Sequence, residues 1–278
     1  MKILTALITP FLDNKEIDYK SLYHIIKRLM KEGCRGFVVC GTTAEAPTLR
    51  NEEKISLLHF VLQHVEKDCE VWYGCGGNDT IRTLEQMQAV EHLNFSGYLL
   101  VCPYYNKPNN EGLYQHFAYL ASYSKHPIML YNVPHRCGVS LSFEVIDALI
   151  QEYDCIVALK HASSNFDLVT QIKQKYPHLN IYSGEDAYII ESIEAGCDGF
   201  VSVLSHIAYP QMMACIQAVK KDCVLQKQAE LLFSDASPNV IKYILSLRKE
   251  CHDILRLPLT SLTNNTIKML CHQYFDNF

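Results

Sequence analysis

Lys160 ends a short apolar segment, residues 155–159, that has the length and composition of a buried strand. An ammonium group in that position is poorly solvated, and desolvation lowers the pKa of a lysine. Because a neutral amine attacks carbonyl carbons, Lys160 could form a Schiff base with a keto compound. We expect the hydroxyls of Ser163 and Ser164 to cap the helix that follows. The alternative is a strand-end lysine whose stem covers the core while its charge reaches water.

Tyr131 ends the preceding apolar segment, residues 128–131, and Arg136 follows shortly after it. Neighbouring strands of a sheet lie about 4.8 Å apart, so Tyr131 and Lys160 could face one substrate if these segments are adjacent. A tyrosine hydroxyl can move protons on and off the intermediate that a lysine forms with a ketone. The planar guanidinium of Arg136 suits a substrate carboxylate. Each residue also has a structural alternative, since Tyr131 could be a core aromatic and Arg136 a surface charge.

Two further loops that follow apolar segments carry hydroxyl groups. Residues 41–49 contain Thr42 and Thr43, whose hydroxyls and neighbouring backbone N–H groups could approach an anion. The alternative for these threonines is a helix cap. A later proline-bounded loop presents two adjacent phenols, Tyr104 and Tyr105.

Composition excludes several classes of protein. The chain has 278 residues, of which 49% are hydrophobic and 20% are charged, with a net charge of −5. Mild acidity without a basic run argues against nucleic acid as a partner. No apolar segment is long enough to span a membrane, and residues 1–10 are predicted to form a first strand rather than a secretory signal. The twelve cysteines show no metal-ligand spacing, so we expect no metal, a reducing compartment and a cytoplasmic location.

Apolar segments alternate with helical patterns in eight strand-then-helix units. Strands that are apolar on both faces are typical of a parallel sheet covered by helices, and eight of them favour an α/β fold of the (β/α)8 TIM barrel type. A doubly wound open sheet is the alternative, although the GxGxxG fingerprint is absent. We predict a barrel domain over residues 1–223 and a C-terminal helical region over residues 224–278 that packs on it. The predicted strands cover residues 4–9, 36–40, 71–74, 98–102, 128–131, 155–160, 181–183 and 199–203.

Four motifs carry a resemblance to a known family, namely residues 41–49, 103–108, 131–138 and 159–162. With them, nearly the whole chain resembles the 4-hydroxy-tetrahydrodipicolinate synthase (dihydrodipicolinate synthase) family. That family lies in the class I aldolase superfamily, which also includes N-acetylneuraminate lyase. The resemblance implies condensation of pyruvate with L-aspartate 4-semialdehyde in lysine and diaminopimelate biosynthesis, with no metal or organic cofactor.

The resemblance also implies a role for each matching residue. Lys160 would form the Schiff base with pyruvate, and Tyr131 would transfer protons. Thr42 would link Tyr131 to Tyr105 in a relay of hydroxyl groups. Tyr105 would reach across a tight interface into the site of a neighbouring subunit, so the chain is expected to form a homo-oligomer, either a dimer or a tetramer.

Four further residues are expected to bind substrates by the same resemblance. Thr43 would bind the carboxylate of pyruvate, and Arg136 would bind the carboxylate of the semialdehyde. Gly184 and Val201 would complete the substrate-binding set. The enamine formed on the lysine would then attack the aldehyde, after which the substrate amine would displace the enzyme and close the ring.

The chain departs from the family pattern at several positions. Ala44 and Ala46 stand where glycine and serine are usual, His161 follows the lysine where an acidic residue is common, and His206 replaces a frequent asparagine. None of these changes removes a catalytic group, although each could reshape the pocket.

Asn78 and Tyr104 match the allosteric lysine site of the lysine-inhibited members of the family. Arg82, however, stands where those members use a glutamate. A cation at this position repels the ammonium of a lysine ligand. The sequence therefore predicts weak or absent feedback inhibition by lysine.

Other functions remain open at this point. A sister aldolase, such as N-acetylneuraminate lyase or a keto-deoxy-sugar aldolase, would use the same lysine and tyrosine but would bind a polyol. A barrel without activity could act as a binding module, although both chemical groups are present. A pyridoxal-phosphate barrel would need a phosphate-binding glycine loop late in the chain, where the acidic residues 183–186 are unsuitable.

Overall fold

Eight parallel strands close into a barrel in the computed structural model, which describes residues 1–275. Every strand pairs with the next one along the chain, and β1 pairs with β8 to close the sheet. The TIM-barrel prediction is therefore confirmed, and the open doubly wound sheet is wrong. The strands are β1 Lys2–Ala6, β2 Gly36–Val39, β3 Glu70–Cys75, β4 Gly97–Val101, β5 Ile128–Asn132, β6 Ile156–His161, β7 Asn180–Ser183 and β8 Gly199–Ser202.

Helices follow the strands on the outside of the barrel. Strands β2 and β5 are buried along their whole length because one face lines the barrel interior and the other contacts these helices. The helices described are α1 Tyr19–Lys31, α2 Asn51–His64, α3 Thr80–Gln88, α4 Asn110–Tyr123, α5 Pro134–Cys137, α6 Phe143–Glu152, α7 Asp167–Lys175, α8 Ile189–Glu194, α9 Ser205–Ala218, α10 Cys223–Leu232, α11 Asn239–Leu247 and α12 Asn265–Phe275.

The first helix shows how local sequence produces these elements. Asp18 precedes α1, and its carboxylate accepts a hydrogen bond from the backbone N–H of Ser21, which satisfies a free donor at the helix start. Leu22, Ile25 and Leu29 recur at helical spacing and are buried against the barrel. The helix therefore begins at a cap and stays helical because one face is apolar.

Two local predictions differ from the structure. Strand β1 ends at Ala6 rather than at residue 9, because the N–H of Ile8 donates to Nε2 of His206 instead of to a neighbouring strand. Capping of the next helix by Ser163 and Ser164 is wrong.

Helix α7 begins only at Asp167, and Phe166 precedes it without a side-chain cap. The Ser163 hydroxyl accepts from the N–H of Asn165, whose own side-chain oxygen accepts from the N–H of Asp167. Ser163 and Asn165 thus stabilise a turn ahead of the helix, at the place where the sequence predicted the helix cap.

Helices α10 to α12 form the C-terminal region, which contacts α9 and the loop after β2. Helix α10 begins at Cys223, the last residue of the predicted barrel domain. We keep the division at residue 223 as a proposal, and residues 276–278 of the second unit lie outside the described residues. Across residues 1–275, no helix combines the length and the apolar character that crossing a bilayer requires.

Candidate active site

Tyr131 and Lys160 stand directly opposite each other on neighbouring strands. They are register partners on β5 and β6, and the Lys160 Nζ lies 4.1 Å from the centre of the Tyr131 ring. Lys160 is only 8% exposed although its side chain ends in a polar amine. Both residues lie at the carboxyl ends of their strands, the edge at which barrel enzymes hold their active sites.

A single turn of helix positions Arg136 beside this pair. Pro134 supplies the fixed φ angle of a first helical residue, and Gly138 closes the turn in the left-handed conformation at φ 72°. The sequence patterns predicted no helix between Tyr131 and residue 143, whereas the structure has the one-turn helix α5 at Pro134–Cys137. This turn brings Arg136 to the cavity that Tyr131 lines.

The loop after β2 places Thr42 and Thr43 in a short 3₁₀ turn that ends at Ala44. Thr42 lines the same cavity. Thr43, the next residue along the chain, is buried but does not line the cavity. Across residues 1–275, no direct hydrogen bond joins the Thr42 hydroxyl to the Tyr131 phenol. The proton relay through Thr42 therefore stays a prediction.

The cavity has a volume of about 410 Å³ and opens at the carboxyl end of the barrel. The structure brings five of the predicted site residues to its wall: Thr42, Asn78, Tyr104, Tyr131 and Arg136. It does not bring five others to that wall: Thr43, Tyr105, Lys160, Gly184 and Val201. Lys160 meets the cavity through its contact with Tyr131.

Gly184 follows β7 and lies directly against the lysine. A Cβ atom at this position would stand 2.9 Å from Lys160 Cε and 2.7 Å from the Cβ of Ala162. Only glycine leaves room for the lysine side chain here. Val201 is buried within β8, where it pairs with Leu4 of β1.

Tyr105 points away from the cavity of its own chain. Its side chain is 87% exposed, and its backbone has a positive φ of 75°, which is uncommon for a residue other than glycine. The loop is held by the Asn106 side chain, which donates to the carbonyl of Asn78 at 2.9 Å. The structure therefore presents Tyr105 outward while Tyr104 remains at the cavity.

The sequence analysis did not assign Glu185 and Asp186 to the site, although the charge of Lys160 acts on the pKa of both carboxyl groups. Burial raises the pKa of Glu185, and the neighbouring Asp186 raises it further, while the positive charges of Lys160 and Arg136 oppose the shift. Burial also raises the pKa of Asp186, although its Oδ2 accepts from the N–H groups of Val203 and Leu204 at 2.8 Å. The two adjacent acidic residues after β7 are visible in the sequence, but they entered the sequence analysis only as an argument against a phosphate-binding loop.

The two histidine departures serve the barrel rather than the cavity. His161 alternates outward from Lys160 on β6, and its Nε2 lies 2.8 Å from the carbonyl of Asn165. Burial lowers the pKa of His206 to about 4, and its Nε2 accepts from the N–H of Ile8. Of the two alanine departures, Ala46 lines the cavity and Ala44 does not. Within residues 1–275, no group of three or more His, Cys, Asp or Glu residues is arranged to hold a metal ion.

Substitution of Gly184 by alanine is expected to lower kcat/KM by at least about tenfold, because the added methyl group displaces the Lys160 side chain and misplaced catalytic groups lose rate steeply. Steady-state kinetics would measure the change. Gly77→Ala is a matched control, since its Cβ would meet atoms no closer than 3.9 Å. Equal kcat/KM values for the wild type and the Gly184→Ala variant would show that the added methyl group does not displace the Lys160 side chain.

A buried lysine against a tyrosine at the mouth of a (β/α)8 barrel is the arrangement of enzymes that hold a carbonyl substrate on an amine. The model of the dihydrodipicolinate synthetase family matches residues 1–273. The chain belongs to this family, which confirms the resemblance drawn from the four motifs.

Individual relatives agree with this assignment. A 4-hydroxy-tetrahydrodipicolinate synthase from Oceanobacillus iheyensis is 37% identical over 279 residues, which cover 97% of this chain and 94% of that protein. The solved structure of a dihydrodipicolinate synthase from Bacillus anthracis is 32% identical, covers 100% of this chain and 98% of its own, and has a TM-score of 0.92. The enzyme from Cyanidioschyzon merolae with lysine bound has the same identity and coverage and a TM-score of 0.93.

Proposed function

We propose that this chain condenses pyruvate with L-aspartate 4-semialdehyde to give 4-hydroxy-tetrahydrodipicolinate, in the pathway to diaminopimelate and lysine. The observation that carries the proposal is the contact of Lys160 Nζ with the Tyr131 ring at the edge of a cavity that also holds Arg136. Membership of the family over residues 1–273 and relatives named for this reaction support the choice of substrates.

The proposed reaction begins at Lys160. Its neutral amine attacks the ketone carbon of pyruvate, a C–N bond forms, and water leaves to give an imine. Loss of a methyl proton gives an enamine, whose carbon forms a C–C bond with the aldehyde carbon of the second substrate. The amino group of that substrate then displaces the lysine amine and closes the ring. No cofactor enters any of these steps.

Tyr131 is the proposed acid and base for the proton transfers, since its ring contacts the lysine. Arg136 is proposed to bind the carboxylate of the semialdehyde, because a guanidinium donates two parallel hydrogen bonds to that group. Thr43 is proposed to bind the pyruvate carboxylate, with Gly184 and Val201 completing the set.

Twelve cysteines without a disulfide support the cytoplasm as the proposed compartment.

Borohydride reduction in the presence of pyruvate tests the proposal. The imine would be reduced to a stable amine, and peptide mass mapping would place the added mass on Lys160. Turnover is then measured with L-aspartate 4-semialdehyde and with N-acetylmannosamine as the second substrate. If the added mass lies on another lysine, the proposed mechanism is wrong. If pyruvate turns over with N-acetylmannosamine but not with L-aspartate 4-semialdehyde, the protein is a sister aldolase instead.

Tyr105 is proposed to act in the active site of a neighbouring subunit, because its side chain is 87% exposed and is absent from the cavity wall of its own chain. Mixtures of K160A and Y105F proteins are expected to regain about a quarter of wild-type activity by forming hybrid oligomers in which one site is complete. Activity assays before and after subunit exchange would measure the gain. No gain would mean that Tyr105 works within its own chain or not at all.

Inhibition by L-lysine is expected to be weak or absent, because Arg82 adds a cation to the rim where the ligand ammonium would lie. Initial rates at rising L-lysine concentration measure it, with R82E as the variant expected to become more sensitive. Inhibition of the wild type below about 1 mM, equivalent to binding beyond about −4 kcal/mol, would contradict the prediction.

A further inference from the structure

Arg256 holds the end of the loop after β2, residues 41–49. It lies between α11 and α12 in the C-terminal region, and its Nη1 donates to the carbonyl of Thr48 at 3.0 Å. The same guanidinium donates two further hydrogen bonds to the carboxylate of Glu53 in the first turn of α2, at 2.8 and 2.6 Å. A paired contact of this kind fixes both groups in one relative orientation. Arg256 therefore attaches the C-terminal region to the segment in which the loop joins α2.

The backbone of Arg256 holds the middle of the same loop. Its N–H donates to Glu45 Oε2 at 2.9 Å. Glu45 directly follows the 3₁₀ turn that contains Thr42 and Thr43. The other carboxylate oxygen of Glu45 pairs with Lys242. One residue of the C-terminal region thus contacts the loop at two points, just after the two threonines and close to the end of the loop.

Every donor of the Arg256 guanidinium is used. Its Nε and Nη2 also donate to the carbonyl of Lys15, at 3.1 and 2.7 Å, so all five N–H groups have an acceptor. Its central carbon lies 4.4 Å from the centre of the Phe11 ring, and the side chain is only 16% exposed. The hydrogen bond from Arg256 is the main cause that lowers the pKa of Glu53 to about 2, so this pair stays charged at neutral pH.

Arg256 acts on the cavity only through the loop. It is not among the described residues that line the cavity, whereas Thr42, Ala46 and Pro47 of the loop are. A displacement of about 1 Å at a catalytic group can cost about 100-fold in rate. A contact that fixes the loop from behind can therefore matter to the reaction without touching a substrate.

We propose that Arg256 is a positioning residue, which holds Thr42 and Thr43 in place by attaching their loop to the C-terminal region at two points. The inference rests on the proposed function, in which Thr43 binds the carboxylate of pyruvate, and on the predicted relay through Thr42. Without the guanidinium the loop is free to shift, so pyruvate reacts more slowly at Lys160. The site of the aldehyde substrate changes less, because the separate turn after β5 carries Arg136.

Borohydride trapping of pyruvate on R256Q tests this role, because it follows the first half of the reaction alone. At a subsaturating pyruvate concentration, R256Q is expected to trap pyruvate at least about tenfold more slowly than the wild type. In steady-state assays, kcat/KM for pyruvate is expected to fall more than kcat/KM for the semialdehyde. R256K keeps the charge but replaces the planar fork by a single ammonium, so it should recover only part of the loss.

R28Q is the matched control. Arg28 also attaches the C-terminal region to the barrel, since it donates to Glu250 at 2.9 Å and to the carbonyl of His206 at 2.7 Å. None of these three is among the described residues that line the cavity. R28Q is therefore expected to lower the urea midpoint as R256Q does, with pyruvate trapping unchanged. Equal losses of trapping in the two variants, or no loss in R256Q, would overturn the proposal.

Hydrogen–deuterium exchange measures the loop itself. The N–H groups of Ala44, Glu45 and Thr48 are hydrogen-bonded within the loop, so a loop that loses its attachment exchanges them faster. Exchange in residues 41–49 is expected to rise at least about tenfold in R256Q and to stay unchanged in R28Q. Unchanged exchange in R256Q would show that Arg256 does not hold the loop.

The exchange measurement does not depend on the proposed function. If the wild type does not attach pyruvate to Lys160, the proposed function fails, and the exchange still decides whether Arg256 holds the loop. If R256Q does not fold, R256K takes its place in both measurements. Wild-type trapping together with wild-type exchange in R256K would then overturn the proposal.

Discussion

Replacing Lys160 with alanine is expected to lower kcat/KM at least about 10⁴-fold, which corresponds to a loss of more than about 5 kcal/mol of transition-state stabilisation. The amine is proposed to form the covalent bond to pyruvate, and no other lysine contacts the Tyr131 ring among the described residues. Replacing Tyr131 with phenylalanine is expected to cost about 10²- to 10⁴-fold, because proton transfer is slowed while the Schiff base still forms. Steady-state assays of both variants measure these losses.

The matched control is K175A, a lysine on the helix that follows the same strand. Lys175 is half exposed and pairs with Asp147 at the surface, so its removal should leave turnover unchanged. Borohydride trapping separates the two catalytic variants, since Y131F should still take up pyruvate on Lys160 and K160A should not. Full turnover by K160A would exclude a Schiff base at this residue and with it the proposed mechanism.

Replacing Lys242 with methionine is expected to lower the free energy of unfolding by about 3–5 kcal/mol. The Lys242 Nζ lies 2.5 Å from Glu45 Oε1, and both side chains are fully buried. The lysine also donates to the carbonyl of Ile254, and the N–H of Arg256 donates to Glu45 Oε2. Burial lowers the pKa of Lys242, and the Glu45 carboxylate opposes that shift. Methionine fills the space but leaves a buried carboxylate without its cation.

Urea denaturation at one protein concentration measures the change as a shift in midpoint at an unchanged slope. K227M is the control, because Lys227 pairs with Glu230 on the exposed face of α10, where such pairs contribute about 0.5 kcal/mol or less. The double variant E45Q/K242M should lose less stability than the two single changes combined, since both charges are removed together. A loss below about 1 kcal/mol in K242M would show that Glu45 finds another partner or water.

The same ion pair connects stability to the reaction. Glu45 follows the 3₁₀ turn that holds Thr42 and Thr43, and its backbone has a left-handed φ of 57°. Its carboxylate ties this turn to the C-terminal region, 197 residues further along the chain. Loss of Lys242 therefore removes one of the contacts that hold this loop, while the N–H of Arg256 still donates to Glu45 Oε2.

Much of the barrel could be predicted because its signals are local. Alternation of apolar segments with helical patterns depends on residues close in sequence, and each of the eight predicted strands overlaps an observed one. Lys160 and Tyr131 were visible for the same reason, since each ends an apolar segment. Where local signals compete, prediction failed, as at Ser163, whose hydroxyl could cap a helix but instead holds a turn.

The sequence by itself determined the fold class and the family, and it predicted Lys160 as the amine and Tyr131 as the phenol of the site. Only the tertiary structure decided that Tyr131 faces Lys160 in register and that the positive charges of Lys160 and Arg136 act on the Glu185 carboxyl group. The physical reason is that periodicity acts between near neighbours along the chain. Charges and contacts act through space, so their partners are chosen only when the barrel closes.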